Sequence, residues 1–319
     1  MINYTVYQMK KLSDGGNVAT PIEGLICFHT SEDRANNVLN LLNVNIVGFP
    51  RELLVFSFNK ITDNELTNMK NEFSLNNINF EMVDDNLSSN MLPYLIAVDN
   101  YAKEKKCLGI DISCMPIPFF TQILHFLYKN YEELRLIIYY TEPAYYNLDN
   151  LFDYSAYEGE IDIKAIPGYE GKTAQLNESK RVVFYLMGFE MAYLNKLIPQ
   201  ETNPDRIVPI NGFPSYFPKY KDISLINNDV NFHELAVTIE FAEANNPFET
   251  YNAILALKDK SYYDYIIDII PAGTKPMALG ACLFALKNVN NGIRLIFPFP
   301  SEYKIHQSTG RGTVWEYII

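Results

Sequence analysis

Short, uninterrupted apolar runs alternate along this chain with segments in which apolar residues recur every three or four positions. Continuous apolar runs are typical of strands covered on both faces of a sheet, and the wider spacing predicts amphipathic helices. Strands that alternate with helices predict an α/β fold with mainly parallel sheets and crossover helices. The predicted strands are Gly24–Phe28, Leu53–Phe58, Cys107–Ile112, Leu134–Tyr140, Val182–Met187, Ile207–Asn211, Tyr265–Ile270 and Ile293–Phe297, and the predicted helices are Ser31–Leu42, Asp63–Phe73, Phe119–Asn130, Phe189–Leu197, Phe232–Asn245, Pro247–Lys258 and Pro276–Lys287.

A weak internal repeat indicates that the chain contains two related halves. In the first copy, a strand with Asp111 precedes a helix and a second strand with Arg135, and the other copy repeats this order with Asp268 and Arg294. The aspartate and the arginine are 24 residues apart in one copy and 26 in the other, and each copy ends in Pro-x-x-Tyr. Two Rossmann-like halves built on one βαβ plan explain the match, and chance similarity of two βαβ units is the alternative.

The boundary between the halves is expected near the middle of the chain. The segment Tyr154–Lys180 is rich in Glu, Gly and Lys and has few apolar runs, as is typical of a long loop, a hairpin or a linker. We therefore predict an N-terminal Rossmann-like domain over 1–160 and a C-terminal Rossmann-like domain over 161–319. A closing strand is predicted at Thr313–Ile319.

Composition and charge narrow the class of protein. A net charge of −12 and a pI near 4.9 argue against a broad nucleic-acid surface, although a single basic pocket for a small phosphorylated ligand remains compatible with them. No run reaches the roughly 18–20 uncharged apolar residues of a membrane span, and the N-terminus lacks the order of a signal peptide. We expect a cytoplasmic protein without a metal or cofactor, whose dispersed cysteines are buried thiols: Cys27, Cys107, Cys114 and Cys282.

The strongest candidate site is the junction that follows the apolar run Ile266–Ile270. The run stops at Pro271, passes through the turn Ala272–Lys275 and opens a helix rich in small residues. Unpaired N–H groups and the positive end of the helix dipole favour anions at such a place, and the Lys275 ammonium and the Thr274 hydroxyl would add to this preference. The sequence predicts a phosphate-binding turn, and a plain strand-to-helix turn with a surface lysine is the alternative.

Polar residues follow other predicted strands and form weaker candidates. Asp111 and Ser113 end a buried strand, where they could contact a ribose or simply shape the turn and cap the next helix. Glu190 opens a helix after another strand, where an acidic residue is favourable with or without a function. In the Gly-rich C-terminal segment, His306 and Arg311 place cations beside hydroxyls, as in a ligand contact or in a turn before the closing strand.

The turn at Ala272–Lys275, followed by Met277, resembles the Thr-Gly-Gly-Thr-Lys-x-Met signature of CARF domains, with Ala272 in place of the first glycine. The resemblance implies a Rossmann-like fold in which Gly273, Thr274 and Lys275 contact the backbone or phosphates of a cyclic oligoadenylate. It also implies a sensor of prokaryotic CRISPR-associated defence, which in that family is often a dimer and is usually fused to a nuclease or another effector.

Three functions are compatible with these observations. The first is a binding protein for a nucleotide or another phosphorylated ligand, in a prokaryotic antiviral defence or signalling system. The second is an enzyme that hydrolyses or transfers a nucleotide or phosphoester, with Lys275 stabilising charge and Asp111, Glu190 or His306 in acid–base roles. The third is a non-catalytic interaction subunit, acting as a homodimer or with a partner in a larger defence complex.

Overall fold

The computed structural model describes residues 7–12, 18–45, 52–84, 91–146, 157–171, 180–189, 204–232, 238–288, 292–303 and 308–319. The strands are β1 Gln8–Lys11, β2 Gly24–Phe28, β3 Glu52–Ser57, β4 Asn77–Met82, β5 Cys107–Asp111, β6 Arg135–Thr141, β7 Tyr145–Tyr146, β8 Tyr157–Ala165, β9 Arg181–Leu186, β10 Arg206–Gly212, β11 Glu240–Ala242, β12 Ile266–Pro271, β13 Ile293–Tyr303, β14 Ser308–Thr309 and β15 Val314–Ile318. The helices are α1 Asn37–Asn45, α2 Asp63–Glu72, α3 Leu92–Ala102, α4 Ile117–Asn130, α5 Pro218–Phe232, α6 Pro247–Ser261 and α7 Lys275–Asn288.

The chain forms two compact units, each with its own sheet. Unit 1 comprises Met1–Asn147 and Ile305–Ile319, and unit 2 comprises Leu148–Lys304. The described strands of unit 1 form a seven-stranded sheet in the order β1-β15-β6-β5-β2-β3-β4, with a separate ribbon of β7 and β14. From β6 to β4 all neighbours are parallel, whereas β15 and β1 are antiparallel additions.

Unit 2 repeats the parallel part of this topology. Its described strands follow the order β11-β10-β9-β12-β13-β8, in which only β8 is antiparallel to its neighbour. If each unit's five parallel strands are numbered along the chain, both units have the order 3-2-1-4-5, which is the order of the first five strands of the Rossmann fold. The predicted α/β class, with two Rossmann-like halves, is therefore confirmed.

The repeated Asp–Arg pair does not occupy equivalent places in the two sheets. Asp268 lies opposite Arg294 on neighbouring strands, whereas Arg135 lies opposite Cys107 and Asp111 lies opposite Tyr139. The repeat in sequence therefore reflects the repeated strand–helix–strand plan. It does not reflect a repeated ion pair.

Three details of the predicted organisation differ from the structure. The strand β8 crosses the predicted boundary at 160/161, because its pairing with β13 places it wholly in unit 2. The closing strand β15 returns to unit 1, where it pairs with β6 and β1. A helix was predicted over Phe232–Asn245, but α5 ends at Phe232 and the described residues of this segment contain the strand β11.

Burial follows the apolar pattern. Every residue of β2 and β12 is buried, as expected for strands covered on both faces. The helix α7 is buried from Pro276 to Leu286, and its Gly280 allows the close approach of α6. A β-carbon at Gly280 would lie 2.2 Å from the carbonyl oxygen of Pro247. No helix in the described ranges is long and apolar enough to cross a membrane.

Candidate functional site

The predicted phosphate turn lies at the carboxyl end of the unit 2 sheet. Strands β9 and β12 are parallel neighbours at the centre of that sheet, and the chain leaves them toward opposite sides of the strand order. Ligands of open α/β sheets bind at such a topological switch point. The turn Ala272–Lys275 follows β12 there and is half-buried along its whole length.

Two backbone segments meet at this switch point so closely that only glycine fits. A β-carbon at Gly188, after β9, would lie 2.0 Å from the carbonyl oxygen of Ala272, after β12. A β-carbon at Gly273 would lie 3.2 Å from the carbonyl oxygen of Met187 and from the sulfur of Met277. Packing therefore requires glycine at position 188, and it leaves little room for a larger residue than Gly273 in the turn.

Thr274 acts as the N-cap of α7. Its hydroxyl accepts the N–H of Met277 at 3.3 Å and donates to the carbonyl of Ala244, while its own carbonyl accepts the N–H of Ala278 at 2.9 Å. Pro276 has no N–H to offer. The predicted role of the Thr274 hydroxyl as a donor to a ligand therefore does not match this geometry, because its proton already serves Ala244.

Donors remain at the turn after the cap is formed. The N–H groups of Gly273 and Thr274 make no hydrogen bond to another residue in the described part of the chain. They come directly before Lys275, the first residue of a helix of 14 residues. Successive N–H groups at a helix N-terminus, with a lysine beside them, favour an anion chemically.

Ala244 connects the turn to the loops after β10 and β11. Its carbonyl oxygen accepts the hydroxyls of Thr274 and of Tyr216, the latter at 3.2 Å, and its N–H donates to the carbonyl of Pro214 at 3.0 Å. The carboxyl ends of three strands, β10, β11 and β12, are thereby held together through the backbone of one residue, Ala244.

A polar face of α5 holds the loop after β9, and the sequence analysis did not find it. The carbonyl of Gly188 accepts the hydroxyl of Ser224 at 2.9 Å and the amide of Asn228 at 3.2 Å, and the amide of Asn227 donates to the carbonyl of Phe189 at 2.8 Å. All three side chains are buried. Their spacing of three and four residues was a usable signal, but polar residues on one face of a helix usually indicate a solvent-exposed face.

In unit 1, Asp111 and Ser113 form a buried turn. The carboxylate of Asp111 accepts the N–H of Ser113 at 2.9 Å and also its hydroxyl. That hydroxyl in turn accepts the N–H of Thr141, at the end of β6, at 2.8 Å. This is the turn-forming arrangement that was the alternative to ribose contact for these two residues.

Arg311 lies in unit 1 as well, against the loop that follows β2. Its Nε donates to the carbonyl of Asp33 at 2.8 Å, and the N–H of Gly310 donates to the Asp33 carboxylate at 2.7 Å. In the same loop, the carboxylate of Glu32 accepts the hydroxyl of Ser308 at 2.9 Å. The C-terminal segment is thus hydrogen-bonded to the carboxyl end of β2.

The same loop contains a buried ion pair. Arg34 is 6% exposed, and its Nε lies 2.7 Å from the Glu32 carboxylate. Burial disfavours the charged guanidinium, but the facing Cys114, Glu32 and Tyr140 outweigh burial and raise the pKa of Arg34. The guanidinium stays protonated, and its charge is matched within the loop.

Six of the eight predicted site residues are described, and they divide between the two units. Gly273, Thr274 and Lys275 lie together in unit 2, while Asp111, Ser113 and Arg311 belong to unit 1. Glu190 and His306 lie outside the described residues. Within the described ranges, no cluster of three or more His, Cys, Asp or Glu side chains could hold a metal ion.

Comparisons with known proteins bear on the fold. No family model matches the chain, and no curated protein matches it either. Among solved structures, the chain is similar to a DNA nuclease of type III CRISPR defence that is activated by cyclic oligoadenylate. The TM-score is 0.52 at 8% identity, over 86% of this chain and 65% of the nuclease. At that identity the likeness shows a shared fold, and the chain spans less than two thirds of the nuclease.

Structures of universal stress proteins also match, but at scores too low to support an inference. One from Archaeoglobus fulgidus has a TM-score of 0.25 at 10% identity, over 88% of this chain and 97% of that protein. Another from Pseudomonas aeruginosa has a TM-score of 0.25 at 11% identity, over 87% of this chain and 94% of that protein. The class that the topology defines is a tandem Rossmann-like α/β protein.

Proposed function

We propose that unit 2 binds a nucleotide or another phosphorylated ligand, with its phosphate at the turn Ala272–Lys275. The observation that carries the proposal is the half-buried turn at the switch point, where the N–H groups of Gly273 and Thr274 precede Lys275 and the N-terminus of α7. Backbone donors, the helix dipole and an ammonium favour the same kind of ligand, an anion with several acceptor oxygens. Asp111, Ser113 and Arg311, in unit 1, have no part in this proposal.

A cyclic oligoadenylate is the ligand we propose to test first. Two independent observations support the choice, namely the CARF-like signature of the turn and a shared fold with a nuclease that is activated by cyclic oligoadenylate. The proposal places the protein in prokaryotic antiviral defence, in the cytoplasm and as a homodimer or a subunit of a defence complex. It does not extend to nuclease activity.

The test is isothermal titration calorimetry with cyclic tri-, tetra- and hexa-adenylate, with AMP and ATP as linear probes. Lys275→Ala should weaken binding about 10- to 150-fold, because hydrogen bonds to charged groups typically contribute about 1.5–3 kcal/mol. Lys287→Ala is the matched control, since Lys287 is an exposed lysine in the last turn of the same helix. It removes the same charge and should leave affinity unchanged.

Equal affinities for the wild type and Lys275→Ala, with equal melting temperatures, would refute the proposed site. Mass spectrometry of the ligand recovered after incubation separates a sensor from an enzyme. Intact ligand is expected for a sensor, and a cleaved or transferred product would establish the enzymatic alternative. Native mass spectrometry of the same samples gives the oligomeric state.

A further inference from the structure

Two phenylalanine rings stand exposed beside each other at the carboxyl edge of the unit 2 sheet. Phe213, directly after β10, is 48% exposed, and Phe241, on β11, is 49% exposed. Their ring centroids lie 6.1 Å apart at an interplanar angle of 73°, which is an edge-to-face pair. Most other phenylalanines in the described part of the chain are buried or half-buried, so this exposed pair of rings is unusual.

Backbone hydrogen bonds fix the positions of both phenylalanines. Phe241 sits in β11 opposite Asn211 of β10, and the N–H of Phe213 donates to the carbonyl of Ala242 at 2.7 Å. The ammonium of Lys221, on α5, lies 5.4 Å from the centre of the Phe213 ring and 3.1 Å from the carboxylate of Asp222. A cation held over a ring restricts the ring, so Phe213 presents a preorganised aromatic surface.

The aromatic pair is connected to the phosphate turn through the neighbouring residues Gly212 and Ala244. A β-carbon at Gly212, the residue before Phe213, would lie 3.3 Å from the sulfur of Met277 in the first turn of α7. Ala244 receives the Thr274 hydroxyl on one side and bonds Pro214, the residue after Phe213, on the other. Phe213 follows β10, two strand spacings or about 10 Å from β12, and Phe241 lies on β11, three spacings or about 14 Å from β12.

We propose that Phe213 and Phe241 form the stacking platform for a base of the ligand whose phosphate lies at the Ala272–Lys275 turn, with the base stacked on the Phe213 ring and in edge contact with the Phe241 ring, which is inclined at 73°. This inference rests on the proposed nucleotide binding and specifies it. The ligand class is a nucleotide with a planar base, since a phosphorylated sugar without a base would use the turn and leave the rings uncovered. A platform of this kind recognises the π-face of the base, so it contributes affinity more than discrimination among bases.

The platform contributes to binding through its aromatic rings, and variants that remove or keep a ring test this contribution. Phe213→Ala should weaken binding of cyclic tetra-adenylate about 5- to 150-fold, the range expected for removing one stacked aromatic, and Phe241→Ala should weaken it by a smaller factor because that ring meets the base edge-on. Phe213→Tyr should retain the wild-type affinity, whereas Phe213→Leu should lose most of it because it keeps the apolar contact without the ring. Tyr263→Ala removes a side chain that is 75% exposed, outside the rings and the turn, and should change nothing.

The outcomes separate this inference from the function on which it rests. Binding that is lost in Lys275→Ala and unchanged in both alanine variants of the rings would overturn the platform and leave the phosphate site standing. Absence of binding to every adenylate probe by the wild type would overturn both. If the ring variants instead abolish a dimer in native mass spectrometry at unchanged affinity, the patch is an interface between copies and the platform is refuted. Because both rings are about half exposed, the variants are expected to fold, and circular dichroism checks this.

Discussion

Removal of the Asp268 carboxylate should destabilise unit 2 strongly. Asp268 is fully buried in β12, and its two oxygens lie 2.6 and 2.8 Å from Nε and Nη2 of Arg294 on the neighbouring strand. Nη1 of Arg181, on the other neighbouring strand, lies 3.3 Å away. One carboxylate thus faces two largely buried guanidinium groups, whose side chains are 13% and 20% exposed.

The expected magnitude follows from what the substitution leaves behind. Asp268→Ala leaves two adjacent cations without their shared anion, and breaking a buried pair in this way costs about 3–5 kcal/mol. For a unit of this size, each kcal/mol lowers the melting temperature by about 2–4 °C, which gives a decrease of about 6–20 °C. Asp268→Asn should cost nearly as much, because its NH₂ group would face a guanidinium donor.

The assay is urea and thermal unfolding followed by far-UV circular dichroism, with Asp264→Ala as the matched control. Asp264 is exposed just before β12, so its removal should change the free energy of unfolding by less than about 0.5 kcal/mol. The triple variant Asp268→Leu, Arg181→Leu, Arg294→Leu should recover at least half of the loss, because replacing all members of a buried ion cluster with apolar side chains is often neutral. A cost below about 1 kcal/mol for Asp268→Ala, or a triple variant no more stable than the single one, would refute the reasoning.

Two further predictions concern the switch point and the thiols. Gly188→Ala should destabilise the protein by about 1–3 kcal/mol and weaken oligoadenylate binding, because its β-carbon meets backbone at 2.0 Å and must push the two loops apart; unchanged melting and unchanged calorimetry would contradict it. Burial raises the pKa of the Cys282 thiol to about 12 and also raises that of Cys27, so almost no thiolate exists at mildly alkaline pH. Peptide mapping after iodoacetamide treatment should find both unmodified in the native protein and modified in urea, and rapid native alkylation of Cys282 would contradict the burial.

The parallel strands could be predicted because each is a continuous apolar run in the sequence. The helix α7 could also be predicted, since Pro276 and the small residues after it indicate the start of a helix. The edge strands β4 and β11 were not predicted. In β4, polar and apolar residues alternate from Asn77 to Met82, which was a usable signal of a half-exposed strand, whereas β11 has only three residues and leaves no hydrophobic period to detect.

The candidate site was predictable only where its residues are contiguous. The turn Ala272–Lys275 could be found because strand, turn and helix start lie within a few residues of one another. The partner of Thr274 is Ala244, 30 residues earlier in the chain, and nothing in the local pattern indicates that pairing. For the same reason the return of β15 to unit 1 was missed, because pairing between distant segments has no local signature.

The two units show how one scaffold carries different chemistry at the same edge. Both sheets have the strand order 3-2-1-4-5, so the loops after β2 and β5 in unit 1 are the topological counterparts of those after β9 and β12 in unit 2. In unit 1 the loop after β5, the counterpart of the turn after β12, is closed by its own hydrogen bonds, because the N–H and the hydroxyl of Ser113 donate to the carboxylate of Asp111. The loop after β2 is hydrogen-bonded to Ser308, Gly310 and Arg311 of the chain's own C-terminal segment. In unit 2 the turn keeps the N–H groups of Gly273 and Thr274 without a partner in the described part of the chain, and two exposed rings lie nearby. Because the backbone plan is shared, the strand order cannot explain this difference, and the residues of the loops must. That contrast is why the proposed ligand site is assigned to unit 2.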